Sequence, residues 1–113
     1  MKIGFYQFSP KFGEIKKNVA KAADAIASAD ADLIVLPELF NTGYQFISKK
    51  EAIGLSETLS SGYTVKALKR LSASKKMYIV AGIAENNKGK IFNSAIITGP
   101  EGLMGVYRKT HLF

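Results

Sequence analysis

Cysteine is missing from all 113 residues, and histidine occurs once, at His111. The first absence excludes disulfides, thiolate-held zinc and a cysteine nucleophile within this chain. A single histidine leaves no His-rich metal cluster. No apolar run approaches the length that crosses a bilayer. At the amino terminus Met1-Lys2-Ile3-Gly4 passes at once into a strand-like pattern, without an apolar core followed by small residues. No signal peptide is read there, and the cytoplasm is the expected compartment.

The chain is long enough for one modest domain and too short for two. Its 47% hydrophobic content is that of a globular protein. Sixteen basic residues against nine acidic ones give a formal charge of +7. Such a balance raises nucleic acid or an anionic membrane as partners. The lysines are scattered in pairs, however (16–17, 49–50, 75–76), and two of these pairs flank helical stretches as solvated faces do. No aromatic-plus-basic nucleic-acid motif accompanies them, so neither nucleic acid nor membrane is expected as a partner.

The most informative stretch is Leu33-Ile34-Val35-Leu36-Pro37-Glu38. Four large apolar residues in a row suit a strand buried on both faces, as parallel strands are. Pro37 cannot donate to a ladder and should close the strand. Glu38 then stands at the strand's carboxyl end, where open α/β sheets place ligands. A carboxylate in an apolar crevice is costly unless paired.

Around this stretch the pattern predicts a strand over 2–8 and a helix over 14–29 with Ile15, Val19, Ala22, Ile26 and Ala29 on its inner face. Strand, helix and central strand form a unit whose strands should be parallel with a right-handed crossover. A helical turn is expected over 50–54. A second helix over 63–75 points Val65, Leu68 and Leu71 inward, with Thr64 as a candidate cap. Strands follow over 77–84, 91–98 and 103–108, separated by a polar turn at 85–90 and a Gly-Pro-Glu-Gly turn at 99–102. The chain closes on Leu112-Phe113 after a charged stretch with nothing evident to bury them, which points to a cut chain.

Lys109 is the expected partner of Glu38. Both are read as loop residues following buried strands at the same edge of the sheet, and an ammonium beside a carboxylate in a dry cleft stabilises both charges. An ion pair that only braces the sheet is the plain alternative. Tyr44, in the loop leaving Glu38, is a candidate pocket wall. On strand alternation Arg108 points away from the lysine's face. His111 reads as a hydrogen-bonded structural residue, and Asn93 as an amide tying a loop near the site. Ser94 and Thr110 as substitute nucleophiles have no support in the pattern.

The segments Leu-Pro-Glu-Leu-Phe-Asn-Thr-Gly-Tyr (36–44) and Tyr-Arg-Lys-Thr-His-Leu-Phe (107–113) resemble the nitrilase superfamily, the carbon–nitrogen hydrolases. Lys-Ile-Gly-Phe-Tyr-Gln-Phe at the start, Tyr-Ile-Val-Ala-Gly and Phe-Asn-Ser-Ala agree with it in order, and the likeness covers the chain from end to end. The resemblance implies an α/β fold: half of a four-layer αββα sandwich, with a mixed sheet carrying helices on one face. It implies a Glu-Lys-Cys triad with Glu38 as general base and Lys109 as the lysine, the cysteine lying beyond residue 113. The implied activity is hydrolysis of a small amide or N-carbamoyl compound, without metal or organic cofactor. The full-length protein is expected to be a homo-oligomer, and these residues alone are expected to be inactive. The other readings are a non-catalytic basic α/β binding module, or the same chemistry serving as a glutamine amidase or N-acyltransferase domain.

Overall fold

The computed structural model describes residues 1–111. The Leu112-Phe113 ending, and the expectation resting on it, lie outside these residues. The elements run β1 (Ile3–Phe5), α1 (Ile15–Ala27), β2 (Leu33–Val35), α2 (Lys49–Leu55), α3 (Tyr63–Lys75), β3 (Tyr78–Asn87), β4 (Lys90–Gly99) and β5 (Gly102–His111). The five strands form one mixed sheet in the order β1-β2-β3-β4-β5. The first three are parallel, and β3-β4-β5 is an antiparallel meander. This is the α/β, mixed-sheet arrangement that the sequence implies.

Helix α1 buries Val19, Ala22 and Ile26, and α3 buries Val65 and Leu68. They close over Ile34, Leu36, Ile79, Ala81, Ile83 and Ile96 on one face of the sheet, with Phe40 and Met77 completing the core. The inner faces follow the helical periodicity of the sequence. Leu71 is only partly buried, and the polar residues Asn18, Thr64 and Ser72 join the buried set.

The opposite face is open. Phe5 is 75% exposed, Ile3 and Val35 are exposed beside it, and Tyr107 is exposed at the far edge of the sheet. Register places Phe5, Val35, Val80 and Ile97 in one cross-strand row on that face. Strand β2 is therefore not buried on both sides as its apolar run suggests. Ile34 and Leu36 face the helices, and no described element covers Val35.

Several boundaries differ from the sequence reading. β1 is shorter than 2–8, because Tyr6 and Phe8 stack on each other (5.1 Å between ring centroids) and pack against the core. Thr64 does not cap α3. A carboxylate from the preceding loop does, as the Thr64 N–H donates to Glu57 Oε1 at 2.7 Å. The polar turn expected at 85–90 is only Lys88-Gly89, both with positive φ (54° and 84°), a hairpin geometry matched to strand twist. Residues 85–87 belong to β3.

Leu68 is fully enclosed between α1, α3 and the sheet. Replacing it by alanine should cost about 2–5 kcal/mol, read as a lower urea midpoint with an unchanged slope.

Candidate active site

Glu38 is placed by backbone constraints. The Leu36 N–H still bonds the Val80 carbonyl at 2.8 Å, then Pro37, without an N–H, ends the pairing. The chain turns across β3 through Leu39, whose φ of 49° is unusual for a branched residue, and re-engages where the Phe40 N–H bonds the Gly82 carbonyl at 3.0 Å. Buried Leu39 and Phe40 side chains hold this turn down. The crossing runs directly over Gly82. A Cβ there would stand 2.6 Å from Glu38 Cα and 2.8 Å from Leu39 N, so only glycine admits the approach.

The Glu38 carboxylate meets donors from two other strands. Asn93 Nδ2 of β4 donates to Oε1 at 2.6 Å, and Lys109 Nζ of β5 donates to Oε2 at 2.6 Å. Lys109 does not sit in a loop, as its sequence suggests; β5 continues through it to His111. In the ladder Ser94 pairs with Arg108 and Asn93 with Thr110, which leaves Lys109 as the extra residue of a bulge. A bulge re-aims a side chain in this way. The lysine and the amide reach the carboxylate from the open face of the sheet.

The notch is wetter than a dry cleft. The side chains of Glu38 and Lys109 are 42% and 39% exposed, because no described element covers this face. The hydrogen bond from Lys109, then that from Asn93, holds the Glu38 carboxyl below its ordinary range, against a smaller upward pull from partial burial.

The loop after Glu38 is anchored from behind. Asn41 is fully buried, its Nδ2 donating to Thr64 Oγ1 at 3.0 Å and to Glu57 Oε2 at 3.2 Å. Asn18 Nδ2 donates to the Asn41 carbonyl at 2.9 Å. Gly43, with φ of 81°, then turns the chain toward Tyr44. Tyr44 is exposed and lines a cavity of about 400 Å³ with Phe8, Pro10, Phe12, Pro37 and Gln45. Pro37 joins this cavity to the site, but Glu38 and Lys109 are not among its lining residues.

Of the remaining candidates, Arg108 turns to the helix-covered face and donates from Nη2 to Glu85 Oε2 at 2.7 Å. Ser94 is buried there too, its Oγ donating to Glu85 Oε1 at 2.8 Å, so it cannot meet a substrate at Glu38. His111 rests edge-on against Phe92, with ring centroids 4.5 Å apart. Gly82 and Glu85 escape sequence reasoning. The first carries no chemistry, and the second sits in an apparent polar turn, although the alternation Ile79, Ala81, Ile83 runs straight into it. Among the described residues no three His, Cys, Asp or Glu side chains gather as metal ligands.

The family model for carbon-nitrogen hydrolases matches residues 2–113. Over its whole length the chain is 40% identical to a nitrilase of Pyrococcus abyssi, covering 44% of that protein. It is 33% identical to an (R)-stereoselective amidase of Pseudomonas sp, covering 41% of it. The crystal structure of Saccharomyces cerevisiae Nit3, a member of branch 10 of the nitrilase superfamily, is similar with a TM-score of 0.80 and 28% identity. That likeness spans 98% of this chain and 44% of the yeast chain. The chain thus spans less than half the length of these relatives.

Two outcomes follow from the geometry. Gly82→Ala should push the backbone at Glu38 aside, destabilising by about 1–3 kcal/mol and moving the Glu38 and Leu39 amide resonances in an NMR spectrum. A carboxyl held low when folded contributes stability above its unfolded value near about 4.3, lost as pH falls through the lower folded value. Lys109→Met should remove the lysine's share of that contribution, about 0.2–1 kcal/mol for so exposed a pair, and leave the share from Asn93. Urea melts should then separate wild type from variant at neutral pH and converge toward about pH 2.

Proposed function

The chain belongs to the carbon–nitrogen hydrolase family, and from that footing we propose that it supplies the base and the lysine of a site that hydrolyses a small amide or N-carbamoyl compound. The observation that carries this reading is the meeting of Glu38 and Lys109, 71 positions apart, at 2.6 Å on an open sheet face. Asn93 fixes the second carboxylate oxygen.

On this reading a cysteine outside these residues provides the nucleophile. Glu38 accepts the thiol proton, and the thiolate attacks the carbonyl carbon. Charge grows on the substrate oxygen, and the Lys109 ammonium donates a hydrogen bond to it. The proton held by Glu38 passes to the leaving nitrogen as the C–N bond breaks and a thioester remains. Glu38 then takes a proton from water, the hydroxide attacks the thioester, the C–S bond breaks, and Glu38 returns the proton to the sulfur as the acid is released. Tyr44, on the cavity beside Pro37, forms part of the substrate wall. The open sheet face receives the second sheet of the αββα sandwich. That layer excludes water from Glu38 and raises its affinity for a proton, which a general base requires.

The test is ammonia release from small amides. The 113-residue chain alone should show no turnover. The longer protein carrying the cysteine should turn over, stop on treatment with a thiol reagent, and lose about 10²–10⁴ in kcat on Glu38→Gln. Steady turnover by the short chain that Glu38→Gln abolishes overturns the division of the triad. Unchanged turnover of the longer protein after Glu38→Gln overturns the role of the glutamate.

A further inference from the structure

Strand β5 is poorly held by its own packing. Among the described residues it pairs only with β4, and most of its side chains are exposed. Its ladder also shifts register twice, at Asn93/Ser94 and at Ile97/Thr98. A slip of one residue turns every side chain to the other face. Such a slip takes Lys109 away from Glu38, so something other than the ladder must fix the register.

Glu85 supplies it from two strands away. It is 1% exposed and lies on the helix-covered face in line with Ile83. Its two oxygens are satisfied only if Ser94 and Arg108 face that side. Arg108 is further seated over the Phe92 ring, 5.4 Å from its centroid. Turning Arg108 outward leaves a buried carboxylate without its cation, a costly arrangement. Ile83, Ser94 and Arg108 form one cross-strand row on this face. With Arg108 fixed there, the bulge at the next residue delivers Lys109 beside Asn93 on the opposite face.

We propose that Glu85 and Arg108 form a latch that sets the register of β5 and thereby aims Lys109 at Glu38. The inference rests on the reading of Lys109 as the site lysine. Both latch members are positioning residues: they lie across the sheet from Glu38, whose own partners are Lys109 and Asn93.

The readout is the titration midpoint of the Glu38 side-chain carboxyl, followed by carbon-13 NMR in the chain itself. Lys109→Met sets the scale, and Leu68→Ala is the control for lost stability. Glu85→Gln and Arg108→Lys should each raise the Glu38 midpoint by more than half the Lys109→Met shift, while Leu68→Ala leaves it in place. The sign is diagnostic. Removing the Glu85 charge acts directly on Glu38 by lowering its midpoint, so a rise has to come through a displaced Lys109. Arg108→Lys keeps the charge but loses the planar fork, and it sits on an exposed edge where folding tolerates it. If Glu85→Gln does not fold, Arg108→Lys decides. Smaller rises, no change or a fall in either folded variant overturns the latch. No substrate or turnover enters the measurement, so its failure and the failure of the hydrolase reading are seen separately.

Discussion

Helices α1 and α3 bury one face of the sheet around Ile26, Leu68, Ile79 and Ile83, and every other feature leans on that burial. Each such side chain contributes about 1.5–3 kcal/mol. The half-exposed Glu38–Lys109 pair contributes at most about 1 kcal/mol. The pair therefore does not organise the fold; the core organises the pair. The core holds β2 against β3, so that the chain leaving Val35 has to cross Gly82. It also holds the β3-β4 hairpin flat enough for Asn93 to reach the carboxylate from the next strand.

Two carboxylates on opposite faces of the sheet show how chemistry follows environment. Glu85, fully enclosed, is met by a guanidinium and a hydroxyl. Glu38, half in water, is met by an ammonium and an amide. A planar guanidinium suits a buried, permanent contact, because its fork is pre-organised and weakly hydrated. An ammonium on a flexible stem is a strongly hydrated point charge, suited to a contact half in water. The two cations are neighbours in sequence, and strand alternation lets one strand serve both faces.

Much of this was legible in the chain. The periodicity of α1, the bounds of α3 and the apolar runs of β2 and β3 were readable because burial against one layer imposes a simple repeat. Glu38 was identifiable from its position after an apolar strand, and the pairing with Lys109 was expected although the lysine's place within a strand was not. Three things were hidden. Glu85-Asn86-Asn87 has the composition of a turn, and its ladder to Phe92, Ile91 and Lys90, with Ser94 and Arg108 bonded to Glu85, makes a strand of it. Lys109 looked like a loop residue because a charged run on an exposed edge strand has no apolar repeat to announce it. Gly82 needed the approach of Glu38, a contact that composition does not carry. For Lys109 and Gly82 the deciding partner, Glu38, is distant in sequence, whereas the legible features are local.

The open face bears on the chemistry as well as the packing. In water, donors at both oxygens make Glu38 a weak base, since each donor favours the charged carboxylate. Losing that water raises its proton affinity without moving a single hydrogen bond. The apolar surface around Phe5, Val35 and Ile97 is what a covering layer would bury, and burying it dries the carboxylate in the same step. Burial of the apolar face and a higher proton affinity at Glu38 thus share one driving force. A carboxylate at the edge of an uncovered apolar face keeps its water, and with it a low proton affinity, for as long as that face is open.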